Sequence, residues 1–279
     1  MVRRERPGAQ VDLYPPILIR WSSDFLIDKP MSRTKTQDRI YGRNPVLETL
    51  RANRRAIHAL QVQQGLDLRG PIEEILRRAE RLNIRIESLS RQDLDSSVKN
   101  HQGVVLLAGH YPYVELADIL EYAQAQADPP LLLLLDQLQD PQNFGTLLRT
   151  AEAAGVHGVL LPARHSVDVT PAVVSASSGA SEHLLIAQAN LAQVMRILKE
   201  QQIWLVGLEH AESSQRIDQV DLSGPIGLVV GSEGTGLRPL VRKSCDFLAS
   251  IPMRGRLESL NAAVAGSLAL YRIWEQRGF

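Results

Sequence analysis

A chain of 279 residues, 44% hydrophobic and 22% charged, is long enough for two globular domains and too apolar for wholesale disorder. Aromatic residues make up only 5%, which argues against a base-stacking sheet, and a single cysteine, Cys245, excludes a disulfide framework or a multi-cysteine zinc site. The net charge of zero joins unlike halves: residues 1–110 hold 19 Lys and Arg against 13 Asp and Glu, and residues 111–279 hold 12 against 18, so the first half is the better suited to a polyanion.

Residues 1–38 are rich in Arg, Pro, Ser and Thr without sustained periodicity, and read as a disordered extension. Their apolar Ile17-Leu18-Ile19 is broken by Arg20, so they form no secretion signal. Nothing later reaches the ~18 apolar residues of a membrane span, and a cytoplasmic protein is expected. From Ile40 the chain becomes regular. Asn44-Pro45 predicts an N-cap and first turn, continued at helical spacing by Val46, Leu47 and Leu50. A strand over 57–62 precedes a helix from Pro71, with Ile72, Ile75, Leu76 and Ala79 on one face. A strand over 84–86, a helix over 92–98 and a strand over 104–108 complete a small α/β domain, residues 39–112. Residues 113–130 read as a linker, with a polar helix over 114–128 ended by Asp128-Pro129-Pro130.

Residues 131–279 have a different pattern. The five leucines from Leu131 to Leu135 predict a strand buried on both faces of a parallel sheet. Further strands are expected over 158–161, 184–187, 203–208, 226–230 and 248–251. Helices fall over 146–154, 171–177, 191–200 and 239–243, and a long amphipathic one spans 260–276. Such alternation makes a doubly wound α/β domain, whose ligands gather at loops leaving the carboxyl ends of strands.

Three of those loops have an unusual composition. The first, Asp136 to Gly145, runs into a helix carrying Arg149. Asn143 and Arg149 there suit phosphate binding at a helix start, or a plain N-cap and a solvated arginine. The second, Gly231-Ser232-Glu233-Gly234-Thr235-Gly236, follows a buried strand. Its order matches neither the dinucleotide G-x-G-x-x-G nor the P-loop, and a tight turn explains one glycine more readily than three. The third, Ile251 to Ala265, passes through Gly255 into a helix expected to start near Ser259. Ser259 is the candidate cap, and Asn261 faces either a ligand or the backbone.

Together, Asn143-Phe144-Gly145-x-x-x-Arg149, Gly231-Ser232-Glu233-Gly234-x-Gly236 and Ile251-Pro252-Met253-x-Gly255-x-x-x-Ser259-Leu260-Asn261 resemble the three motifs of the SpoU (TrmH-type) branch of SPOUT RNA methyltransferases. Order and spacing agree over about 150 residues. Ile40 to Val46 and His101 to Val104 resemble the substrate-binding domain of the RlmB-like subgroup, which methylates a guanosine ribose in 23S rRNA. One departure is Ala262-Ala263-Val264-Ala265, where members often carry a Val-Ser pair.

The resemblance implies a small α/β RNA-binding domain followed by a doubly wound SPOUT domain closed by a trefoil knot, outside the general rule that chains do not thread loops. It implies a homodimer, S-adenosylmethionine as cofactor, held at Gly207, Gly231, Ile251 and Leu260, and RNA as partner. Within the family Arg149 occupies the position held to assist deprotonation of the ribose hydroxyl. A guanidinium carries donors and no acceptor and is a poor base, so a phosphate clamp suits it better. Asn143 would then orient the ribose or Arg149, Glu233 would hold a donor, and Ser259 and Asn261 would complete the pocket. No metal is implied, and the seven histidines lack zinc-ligand spacing. The rival readings are a tRNA or resistance-type rRNA target, a guanine N1 methyltransferase, and a non-catalytic ribosome-assembly factor.

Overall fold

The computed structural model describes residues 37–164, 166–256 and 259–278, so the extension expected over 1–38 lies almost entirely outside the described residues. Regular structure starts with β1 (Asp38–Tyr41), α1 (Arg43–Ala52) and β2 (Ile57–Gln63). It continues through α2 (Pro71–Arg81), β3 (Ile86–Leu89), α3 (Arg91–Ser97) and β4 (Val104–Ala108). These strands form a four-stranded sheet in the order β1-β4-β2-β3, parallel only between β2 and β3. Gly42, at φ 92°, precedes α1, so Asn44 lies inside the helix instead of capping it. The strand expected over 84–86 begins at Ile86. The Ile84 N–H is already spent on the Ala79 carbonyl, in a turn closing α2 through left-handed Asn83.

After α4 (Leu116–Ala125), the chain builds a second sheet from β5 (Leu131–Leu135), α5 (Pro141–Ala153), β6 (Gly158–Pro162), α6 (Pro171–Ala176) and a 3₁₀ turn (Ala180–His183). β7 (Ile186–Ala189), α7 (Leu191–Glu200), β8 (Trp204–Leu208) and the two-residue β9 (Gln215–Arg216) follow. β10 (Ile226–Val230), α8 (Pro239–Ser244), β11 (Phe247–Ser250) and α9 (Ala262–Gln276) complete it. The order is β7-β6-β5-β10-β8-β11-β9, and every pairing is parallel. β10 is thus inserted between β5 and β8. All five leucines of β5 are fully buried, Leu131, Leu133 and Leu135 in one apolar cluster and Leu132 and Leu134 in another, as a strand covered on both faces requires. Among the described residues, no helix is long and apolar enough to cross a membrane.

Two expectations change here. The segment read as a linker is a structural layer: Ile119 of α4 is fully buried, and a Cβ on Gly158 of β6 would stand 2.3 Å from its side chain. Val114 also bridges to Ala187. The strand expected over 184–187 starts at Ile186, because the Leu184 carbonyl accepts hydrogen bonds from Arg54 and from the Tyr111 hydroxyl. Burial pushes that hydroxyl up to about 12, so it stays a donor.

A buried ion pair joins the two sheets. Arg55, with no exposed side-chain surface, donates to both carboxylate oxygens of Glu182 at 2.8 Å and to Asp38 at 2.8 Å. Burial alone would lower the Arg55 pKa, but the Glu182 and Asp38 carboxylates outweigh it and hold the guanidinium charged. His183 meets Glu48 of α1 at 2.8 Å beside it. Removing one partner of a buried pair strands the other charge. Glu182→Ala is therefore expected to lower stability by about 3 kcal/mol, read as a fall in thermal midpoint.

Candidate active site

The parallel sheet places the ends of β5, β8, β10 and β11 at one edge, where the three unusual loops emerge. The first loop enters α5 through Asp140, whose carboxylate accepts from the Gln142 and Asn143 N–H groups at 3.2 Å. Asn143 is therefore not the cap. Its side chain is free to reach across the loops, and its amide donates to Glu233 of the second loop.

The second loop closes on itself, with Ser232 and Gly236 exchanging backbone hydrogen bonds at 3.2 and 3.1 Å. A Cβ on Gly231 would lie 2.4 Å from the Gly236 carbonyl carbon, and Gly234 and Gly236 have φ values of 84° and 66°. All three glycines are thus demanded by the turn itself, more than the sequence reading allowed. The result is a closed hook presenting Glu233 to the other loops.

The third loop supplies Asn261. Its side-chain oxygen accepts from Ala263 and Val264 N–H at 2.9 and 3.2 Å, making it the N-cap of α9 in place of Ser259. Its amide nitrogen donates to Asn143 at 3.0 Å and to Glu233 at 2.8 Å. Asn143, Glu233 and Asn261 therefore form a closed triangle. Ser259 and Leu260 are exposed just ahead of the cap.

Arg149 lies outside the triangle. It is exposed on α5, about 9 Å along the helix axis from Asn143. Its Nη1 donates to Ser178 Oγ at 3.2 Å, in the turn after α6. Gly207, Gly231 and Ile251 stand at or next to the carboxyl ends of neighbouring strands β8, β10 and β11, Gly207 paired with Val229 and Leu248. A Cβ at Gly207 would press within 3 Å of Leu248, Cys245 and Leu237. Burial pushes the Cys245 thiol up to about 12, so it is no nucleophile. A cavity of about 430 Å³ lined by Leu237, Leu248 and residues of α8 opens beside this edge. A larger one, about 480 Å³, lies in the small domain, where Arg43, Gln102 and His101 bring the two N-terminal stretches together. Among the described residues, no cluster of His, Cys, Asp or Glu could hold a metal ion.

Asp136 and Ser178 were not singled out from sequence. Asp136, fully buried at the end of β5, accepts from the Arg238 backbone at 2.8 Å and from its guanidinium at 2.6 Å, tying the first loop to the second. A carboxylate directly after five leucines was the available signal. Ser178 had none, because its partner lies 29 residues away.

Two families match separate stretches of the chain. Residues 130–271 match the SpoU rRNA Methylase family, and residues 39–114 match the RNA 2′-O ribose methyltransferase substrate-binding family. The chain is 38% identical to the Bacillus subtilis protein YacO, named for the TrmH family of tRNA/rRNA methyltransferases, over 88% of its own length and 98% of that protein's. It is 42% identical to a Mycolicibacterium vanbaalenii protein named as an uncharacterized tRNA/rRNA methyltransferase, over 88% and 78% of the two chains. Among solved structures it resembles the SpoU methyltransferase AviRb from Streptomyces viridochromogenes in complex with AdoMet: TM-score 0.72, 26% identity, covering 87% of this chain and 91% of that one. An AdoMet-bound rRNA methyltransferase from Sinorhizobium meliloti aligns with a TM-score of 0.71 at 26% identity, covering 85% and 87%.

Because Asn261 both caps α9 and ties the loops, Asn261→Ala is expected to cost about 1 kcal/mol from the cap alone. The same change should raise amide hydrogen exchange in the Gly231–Gly236 hook, and an unchanged exchange pattern would refute the tie.

Proposed function

The chain belongs to the SpoU rRNA methylase family, and on that premise we propose that it transfers a methyl group from S-adenosylmethionine to a ribose 2′-oxygen, in a guanosine of 23S rRNA. The observation that carries the reading is the triangle of Asn143, Glu233 and Asn261 at the carboxyl edge of the sheet, whose Asn143 stands on the helix that also presents Arg149. The rRNA target rests on the two N-terminal stretches meeting at the small-domain cavity and on that half's positive charge. Residues 39–112 would hold the RNA and residues 131–279 would carry the chemistry, in the cytoplasm.

Gly207, Gly231, Ile251 and Leu260 would hold the cofactor, and they fit it: backbone groups and apolar side chains at adjacent strand ends suit adenine recognition without charged partners. The bound cofactor supplies an electrophilic sulfonium methyl. The chain's own residues must then position the ribose oxygen and ease loss of its proton. Arg149 is exposed and keeps donors to spare beyond Ser178, so it clamps the neighbouring phosphate and stabilises the developing alkoxide. An arginine side chain offers donors only, so a phosphate oxygen or water takes the proton. Within the triangle, Asn261 has both amide hydrogens donated and its oxygen on the helix cap. Asn143 keeps one N–H and one lone pair, which makes it the group that orients the ribose. Glu233 holds both amides, and the exposed Ser259 hydroxyl completes the pocket rim.

The knot of the family would run from β8 to α9, a reading supported by the insertion of β10 between β5 and β8 and by the return of α9 onto α5. A homodimer through α9 is supported by its outward stripe of Val264, Leu268 and Tyr271, each about half exposed, at i, i+4 and i+7.

Arg149→Ala is expected to lower methyl transfer from labelled S-adenosylmethionine to RNA at least about 100-fold, with calorimetric cofactor affinity unchanged. Full activity in that variant would overturn the assignment. Nucleotide mapping in a deletion strain should show loss of one 23S ribose methyl, whereas loss of a tRNA mark would move the target. Leu268→Glu should convert a dimer to a monomer in analytical ultracentrifugation.

A further inference from the structure

The turn between α6 and β7 touches both halves of the protein. On one side it lies against α5: a Cβ on Gly145 would stand 2.4 Å from Ala176 Cβ and 2.9 Å from the Ser177 nitrogen. On the other it lies against the small domain. A Cβ on Gly179 would come within 2.6 Å of Glu48 Cβ and 3.2 Å of Pro45 Cα, while Glu182 and His183 pair with Arg55 and Glu48. Ser177 and Ser181 brace the turn internally at 3.2 Å. It has little room to shift.

Ser178 sits at the centre of this turn with φ +54°. That conformation suits glycine and strains a serine, yet glycine stands next door at position 179. Among the described residues with positive φ, the other non-glycines are all Asn or Gln. The strain aims one hydroxyl at one partner: Ser178 Oγ accepts from Arg149 Nη1, the only hydrogen bond that guanidinium makes among the described residues. Backbone strain held by its surroundings is a mark of function.

We propose that Ser178 is a positioning residue for Arg149, held at a fixed point by the clamp between α5 and the small domain; this rests on the role given to Arg149 above. An exposed arginine explores many rotamers, and ordering it in advance removes that cost from the reaction step. One N–H is spent on Ser178, and the remaining donors of the guanidinium are left for an RNA phosphate. The small domain, by fixing Glu48 and Arg55 against the turn, then sets where Arg149 stands relative to the RNA it holds.

The deciding variant is Ser178→Gly in the full-length protein. It deletes the hydroxyl while relieving the strain, so its thermal midpoint should equal or exceed that of the wild type. With total RNA from a strain lacking the gene and tritiated S-adenosylmethionine, kcat is expected to fall about tenfold, with KM for RNA and calorimetric cofactor affinity unchanged. Ser178→Asn tolerates the left-handed backbone and offers a carbonyl acceptor, so it should restore much of kcat. Combined with Arg149→Ala, Ser178→Gly should cause no further loss. A Ser178→Gly enzyme with wild-type kcat, or with losses additive to those of Arg149→Ala, overturns the proposal. Activity surviving in Arg149→Ala alone would instead sink the reading of Arg149, so the two failures are distinguishable.

Discussion

One carboxylate organises the active edge of this protein. Glu233 accepts from the amides of Asn143, 90 residues away, and Asn261, 28 residues away, while the two asparagines, 118 residues apart, bond each other. A carboxylate can only accept and an amide does both, so these three side chains can satisfy one another without a charge of opposite sign. An arginine in place of either asparagine would neutralise Glu233. The tie therefore needs no cation of its own, and Arg149 on α5 pairs elsewhere, with Ser178. Each loop is held by a local device as well: Asp140 caps α5, three glycines fold the hook, and Asn261 caps α9. Each loop is thus braced locally as well as by the tie between them.

The second organising contact is buried. Arg55 and Glu182 lose all their water, and such a pair seldom adds stability over an apolar replacement. What it adds is register: a bidentate fork accepts one relative placement of the two sheets, and the neighbouring His183–Glu48 pair repeats the constraint. The apolar residues agree, since Ile40, Leu60 and Leu106 of the small domain share one core with Leu133 and Phe144. The RNA-binding half is built into the enzyme instead of swinging on a tether.

How much of this could be read from the chain depends on the range of the interaction. The five-leucine strand, the α/β alternation and the residues of the triangle were visible, because each is a local pattern or part of an ordered set of loops. Which side chain capped which helix was not. Ser259 and Asn143 looked like caps, but Asn261 and Asp140 hold those positions, and a shift of two or three residues turns a cap into a site residue. Strands displaced by two residues at 84–86 and 184–187 had donors or acceptors claimed by a helix end and by Arg54, which no alternation of apolar residues reveals. The packing of α4 was hidden for a similar reason: the helix reads as polar, yet Ile119 and Ala123 are buried, and Ile119 enters the space left by Gly158. Arg55 and Glu182, 127 residues apart, carry no signal in either segment.

The buried fork also bears on how such proteins can be recombined. A chimera that exchanged the first domain for a relative's would place a foreign surface against Glu182, and unless Arg55 and Asp38 travelled with it, a carboxylate would be left dry and alone at the seam. The unit of inheritance is therefore larger than the domain. Its boundary follows the ion pair into residues 177–183, and a change of RNA preference by domain exchange would need that short turn to be exchanged as well.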